Sequence, residues 1–218
     1  MRLLDRLRRL VRKPEPFDPS RFDDPLANKT EWTPAKRGGA NFRTHKMITN
    51  STQRVSFVAT LGLKLFCTLF IVLGAGIPAF IIYSKFDAIA SFTDPEFIWP
   101  VVFGLVFIAA GGIILFVGLK PRVFDRTLGY YWRGYKGPGT MYNPDELAKF
   151  TRLHKIHAIQ IIKERCQTRN GSYYSYELNL VLDDASRINV IDHGNSSNLT
   201  DDADKLAKFL NVPVWPAI

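Results

Sequence analysis

The sequence predicts an α+β membrane protein, in which a transmembrane helical hairpin precedes a cytoplasmic antiparallel β-meander closed by one packing helix. Three observations predict this class. Residues 65–84 and 98–119 are apolar and carry no charge; runs of about 20 residues match a hydrocarbon core of about 30 Å at 1.5 Å per residue. After residue 120 the apolar residues recur with period two between turn-rich breaks, the pattern of half-buried strands. The stretch before Pro213 returns to helical spacing. A soluble helix would keep a polar face, and a 218-residue chain has too little other mass to bury two such helices all round.

Taken in order, residues 1–13 place Leu3, Leu7 and Leu10 on one helical face with Leu4 and Val11. Arg2, Arg6, Arg8, Arg9, Arg12 and Lys13 fill the remainder. This is a short basic amphipathic helix, suited to contact with anionic lipid headgroups in the plane of a membrane, and Pro14 and Pro16 end it. A mitochondrial transit peptide shares the Arg-rich character, with Asp5 atypical of one. Residues 14–62 are rich in Pro, Asp, Asn, Lys and Gly and read as a cytoplasmic linker and juxtamembrane segment, most flexible at Gly38-Gly39.

The first span contains Gly74, Gly76 and Pro78, and the second Gly111 and Gly112. Small residues let membrane helices approach closely, so these four glycines are the expected packing positions, and Pro78 should kink its helix. Neither span holds an Asp, Glu, Lys, Arg or His, which argues against an ion or proton pathway and for an anchor. Tyr83, Trp99 and Pro100 suit the interface beside the short external loop 85–97.

Charge sets the expected orientation. Residues 1–64 hold 14 Lys/Arg against 6 Asp/Glu, loop 85–97 holds only Lys85 against Asp87, Asp94 and Glu96, and the chain from Lys120 onward holds 14 against 11. The positive-inside rule then puts both termini in the cytoplasm. The net charge of +9 is mostly this flanking charge. It points to anionic lipid, and without a dense basic stripe on the folded part it argues against nucleic acid. Asn28, Asn50, Asn170, Asn195 and Asn198 lie in N-x-Ser/Thr sequons on both sides of the hairpin, an excess read as turn composition. Cys67 and Cys166 sit in different environments and suggest a reducing compartment, not a disulfide.

In residues 120–218, strands are expected at 123–125, 128–132, 156–166, 175–182 and 187–191, with Asn170-Gly171 as a hairpin turn. Tyr176, Leu178, Leu180 and Leu182 should face inward with Ile188 and Val190, leaving Glu177 and Asn179 outward. A helix should start near Thr200, with Asp201 and Asp202 in its first turn, and pack Leu206, Phe209 and Leu210 over the sheet. At about 95 residues this region is long enough to fold alone.

The runs Phe124-Asp-Arg through Tyr131-Trp-Arg-Gly134, Glu177-Leu-Asn-Leu-Val-Leu182, Arg187-Ile-Asn-Val-Ile-Asp-His-Gly-Asn195, and Ala203 through Trp215 resemble small bacterial two-pass inner-membrane proteins. Such proteins carry a pleckstrin-homology-like β-domain after their hairpin. The resemblance implies that fold and a bacterial inner-membrane address, with a mitochondrial inner membrane as the alternative, and it implies no reaction. Only Arg126 stands in the first turn, so the basic loop of phosphoinositide-binding domains is weak here.

No residue set demands catalysis, a metal or a cofactor. His154 and His157 are three apart and on a strand would point to opposite faces. Asp192-His193-Gly194 lacks an identifiable nucleophile, and the Gly134–Gly139 spacing lacks a Gly-Lys-Ser/Thr ending. Trp132, Arg133, Tyr135 and Lys136 form an aromatic–basic cluster that could meet a partner or lipid headgroups. The expected function is a non-enzymatic, membrane-anchored interaction or scaffold protein whose β-domain binds an unidentified membrane or cytoplasmic protein, with a homo-oligomer left open. The alternatives are an immunity protein against a membrane-acting toxin and an accessory subunit of a transporter or membrane enzyme.

Overall fold

The computed structural model of the chain describes residues 17–88, 91–138, 150–169 and 171–218. The expected amphipathic helix, with Arg2, Arg6, Arg8, Arg9, Arg12 and Lys13, lies outside those residues, as does Asn170. The chain is α+β. A 3-10 turn at Pro19–Phe22 and α1 (Pro25–Lys29) each start on a proline behind an Asp cap: Asp18 accepts from the Ser20 amide and Asp24 from the Leu26 amide at 2.8 Å.

β1 (His45–Ser51) and β2 (Arg54–Ala59) form a hairpin that runs into α2 (Leu61–Ser84) through the Thr60 cap. α3 (Pro95–Gly118) returns antiparallel to α2, and both are long and apolar enough to cross a membrane. Each begins about one turn before the uncharged run does, because Lys64 and Glu96 fit within the first turns of the helices. Only 17% and 11% of their most apolar windows are buried against the protein, so they are not core helices of a soluble fold. Gly74 and Gly111 do lie in the seam: a Cβ on Gly74 would stand 2.8 Å from the Phe107 Cβ, and one on Gly111 2.9 Å from the Cys67 carbonyl oxygen. Gly76 and Gly112 face open space, since a step of about 100° per residue turns them off the seam. Gly104, opposite Gly74, completes it.

The chain then forms β3 (Arg122–Asp125), β4 (Tyr130–Arg133), β5 (Thr151–Arg152), β6 (Ile156–Thr168), β7 (Gly171–Leu182), β8 (Arg187–His193), α4 (Ser196–Leu210) and β9 (Val214–Ala217). The strands make two sheets, β1-β2-β3-β4-β5 and β8-β7-β6-β9. All pairings are antiparallel except β6 with β9. This corrects the single meander after residue 120: part of the segment expected to be a linker supplies two strands of the first sheet. β2 pairs with β3, Phe57 opposite Arg122, so the strands flanking the apolar hairpin are hydrogen-bonded to each other.

One core fills the space between the sheets and under α4. It joins Val55, Phe57 and Phe124 to Ile159, Ile161, Leu178, Leu180 and Val190, and to Leu199 and Leu206. Leu178, Leu180 and Val190 are buried as their alternation predicts, with Tyr176, Leu182 and Ile188 packed half-buried against them. The prediction for the opposite face of β7 is overturned: Glu177 and Asn179 are fully buried. Residues 17–41 cover that face. Phe22, Leu26 and Trp32 pack on Ala158, Val181 and Trp215, and the backbone beyond them meets a row of polar side chains. Gly38-Gly39 is therefore pinned and not a flexible point. The Gly39 carbonyl accepts from Tyr173, and a Cβ on Gly39 would collide with the Ser175 side chain, 2.8 Å from its Cβ, so only glycine permits this approach. α4 starts one turn earlier than predicted, capped by Asn195, whose Oδ1 accepts from the Asn198 amide at 2.9 Å. Asp202 is consequently not in the first turn. It is buried within α4 and takes Arg43 at 2.8 Å and the Met47 amide at 3.3 Å.

Candidate functional site

β3 is four residues long and buried throughout. Alternation puts Arg122 on the same side as Phe124, a core residue, so a guanidinium is carried inside beside the end of α3. Its Nε donates to the Val190 carbonyl at 2.9 Å and its Nη1 to the Lys120 carbonyl at 3.2 Å and to His45 Nε2. Nη2 has no hydrogen-bond partner, and no carboxylate lies within ion-pair reach of Arg122, among the described residues.

His45 orients that guanidinium. The Thr44 hydroxyl donates to the Asp192 carbonyl at 2.8 Å, so it accepts from His45 Nδ1–H at 2.9 Å, leaving the Nε2 lone pair for Arg122. Burial, and then the Arg122 charge, push His45 down to about 3, so the ring stays a neutral acceptor at physiological pH. Two side chains converge on the last turn of α3: Arg133 donates to the Val117 carbonyl and Tyr135 to the Leu119 carbonyl at 3.1 Å. Carbonyls at a helix C-terminus are otherwise unpaired and carry the negative end of the dipole.

His45, Arg122 and Arg133 border a cleft of about 350 Å³ between the base of the hairpin and the β-domain. Leu63, Ile113, Ile114 and Val117 form one wall, and Lys36, Arg122 and Arg133 supply positive charge. Asp192 on β8 also reaches it, held by the Asn189 amide at 2.7 Å. Burial pushes the Asp192 carboxyl up to about 6, against that hydrogen bond, and the charge of Glu177 across the β7–β8 pair adds to the rise.

Stability should depend on pH through these groups. His45 and His193 are held down to about 3 and about 4, both chiefly by burial. As pH falls through 6.5 the unfolded chain protonates them and the folded chain does not, so each removes about 1.4 kcal/mol per pH unit. Asp192 acts oppositely: with its folded value raised to about 6, the folded state takes the proton first and gains stability as pH falls from 6 toward the ordinary carboxylate value. Asp192→Asn should therefore stabilise the protein at about pH 8, by at most about 3 kcal/mol, with the gain fading toward zero at about pH 4. Thermal melts across that range read this, and a pH-independent effect of the substitution would rule it out.

The expected aromatic–basic cluster divides. Trp132 is buried, its ring under the Arg54 guanidinium at 5.4 Å, so it offers no contact surface. Two successive residues, Tyr131 and Trp132, are buried because β4 is covered on both faces. Arg133 and Tyr135 are exposed at the hairpin base, and Lys136 is exposed beside them. His157 pairs with Asp24 at 2.6 Å, and His193 is buried with Nδ1 accepting from the Asn195 amide. No three His, Cys, Asp or Glu side chains converge as a metal site among the described residues. Sequence reasoning missed Lys36, His45 and Arg122 as site residues and weighed Asp192 only for acid–base chemistry; the available signal was an arginine in phase with Phe124 on a short apolar strand. No family model, no curated protein and no solved structure matches the chain.

Proposed function

We propose that this chain is a two-pass membrane protein of a bacterial inner membrane. Its hairpin holds a pleckstrin-homology-like β-domain in fixed orientation on the cytoplasmic surface, where the domain binds a protein partner without catalysis. The observation that carries the reading is the β2–β3 pair: the chain enters α2 and leaves α3 through strands bonded to each other. No flexible tether separates anchor from domain, which suits a scaffold that must present one face to a membrane-bound partner. Two further features support insertion. Exposed large apolar side chains run from Leu61 to Val117, and elsewhere only Leu128, Tyr135, Tyr174 and Ile218 among the described residues are both large and exposed. An apolar belt of that length far exceeds the few hundred Å² a soluble monomer usually leaves open. Lys120 also folds back over the Phe116 ring at 4.6 Å, as a cation at a helix end does at an interface.

The orientation is tested with Ser91→Cys and Ser186→Cys, both exposed positions, in a background lacking Cys67 and Cys166. In intact cells an impermeant maleimide should label the first and reach the second only after permeabilisation. Labelling of Ser186→Cys in intact cells would invert the topology. Recovery of the chain without detergent would end the membrane reading. In-membrane crosslinking through Lys136 or Tyr135 should then capture one protein repeatedly, and capture of lipid alone would count against the scaffold role.

A further inference from the structure

We infer that the cleft at the base of the hairpin is a binding site for one anionic glycerophospholipid of the adjacent leaflet, its phosphodiester held by Arg122 and Arg133 and its acyl chain by the α2–α3 wall. The inference rests on the membrane reading above and goes beyond it, because general attraction to a charged surface needs no cleft. Arg122 is the central observation. It is 7% exposed, bonded through Nε and Nη1 to fixed acceptors, and has a free Nη2 and no paired carboxylate among the described residues. Asp192 attracts Arg122 across the cleft without reaching ion-pair contact, and an anion brought into contact adds the charge-assisted hydrogen bonds that this buried cation lacks. The neutral His45 keeps the guanidinium aimed without cancelling its charge.

The rest of the lining selects the class of anion. Lys36 and Arg133 bring two more positive charges to the rim, while Leu63, Ile113, Ile114 and Val117 make the opposite wall apolar. A free phosphate would use the first set and leave the second wetted; a phospholipid uses both. The cleft sits where the apolar surface of the hairpin gives way to the strands, which is the depth of a headgroup when the hairpin spans a bilayer. Its volume of about 350 Å³ suits a headgroup and glycerol backbone, with the chains running down the outside of α3. Asp192 adds a single acceptor at the polar end, placed to take a hydroxyl hydrogen of a headgroup such as glycerol.

The test uses the full-length protein in detergent micelles, with native mass spectrometry counting retained ligand during titration. The probes are dioleoyl-phosphatidylglycerol, dioleoyl-phosphatidylcholine and inorganic phosphate. One phosphatidylglycerol per chain should be retained, about tenfold tighter than phosphatidylcholine: the phosphodiester is common to both, but only glycerol gives Asp192 a hydroxyl to accept from, and choline adds a cation beside Lys36 and Arg133. Arg133→Gln and Lys36→Gln, whose side chains are exposed, should leave the fold intact and each weaken retention several-fold. Arg133→Lys should recover most of it, and Arg165→Gln, an exposed arginine away from the cleft, should change nothing. Equal retention of the two lipids, or no loss in the Lys36→Gln/Arg133→Gln double variant, overturns the site. Displacement of the lipid by equimolar inorganic phosphate overturns the lipid as the source of the anion. Failure of the membrane reading is separate, since it shows as a chain that needs no detergent.

Discussion

Replacing residues 60–120 by a short glycine-rich turn should yield a soluble, cooperatively folded β-domain, whereas residues 120–218 alone should not fold. β2 and β3 pair with Phe57 opposite Arg122, so the same register brings Val58 opposite Pro121 and a few residues after Ala59 close the two strands as a hairpin. The apolar helices are then an insertion into a continuous sheet. Cutting at residue 120 instead removes Val55 and Phe57 from the shared core, exposes the edge of β3, and strips Phe22, Leu26 and Trp32 from the outer face of the second sheet. Burial of each large apolar side chain is worth about 1.5–3 kcal/mol. Losing five of them, with the polar partners of Glu177, removes as much as the whole stability of an ordinary domain, about 5–15 kcal/mol. Circular dichroism and thermal melting of the two chains decide it. A cooperative melt from residues 120–218, or none from the spliced chain, would refute the assignment of β1 and β2 to the domain.

The parts legible in the sequence were those with a one-dimensional signature. Charge-free length marked the hairpin, and alternation placed Leu178, Leu180 and Val190 in the core. The β1–β2 hairpin alternates too, at Val55, Phe57 and Ala59. It precedes an apolar run directly, however, and its partner strand lies more than 60 residues on, so local pattern reads it as the approach to a span. Glu177 and Asn179 were misplaced for a different reason. Period-two reasoning equates the polar face with water, but here the cover is a polar chain segment whose backbone N–H and C=O groups both need partners. Gln160 donates to the Glu31 carbonyl at 3.0 Å, Arg187 to the Thr33 carbonyl at 2.6 Å and Asn189 to Asn179 Oδ1 at 3.1 Å. A polar layer on a polar face leaves no hydrophobic trace. The cleft was hidden similarly: Lys36, His45, Arg122 and Asp192 come from four segments that only the β2–β3 closure and the β7–β8 pair bring together.

Glu177→Ala should destabilise the protein by about 3 kcal/mol, and Leu180→Asp should unfold it, although the two side chains leave β7 on opposite faces. Leu180 lies in the apolar core without exposed area, where an unpaired carboxylate costs several kcal/mol. Glu177 is equally buried, but its two oxygens accept from the Ala35 amide at 2.8 Å and the Lys36 amide at 2.7 Å, and one also takes the Asn179 amide at 3.0 Å. Truncation leaves two backbone donors without their acceptor, at about 1–3 kcal/mol each. Removing a charge that faces Asp192 returns part of that loss, which holds the expected figure near the lower half of the sum. Glu177→Gln should fall between, since its amide keeps one acceptor and turns a donor against the second N–H. Gln167→Ala, on the exposed end of β6, should stay within about 0.5 kcal/mol. Denaturant unfolding of the full chain in detergent separates the cases. A Glu177→Ala variant as stable as Gln167→Ala would mean that residues 31–41 do not seal the outer face of β7. Lys36 would then lose its hold on the cleft, and the lipid site would lose one of its three cations.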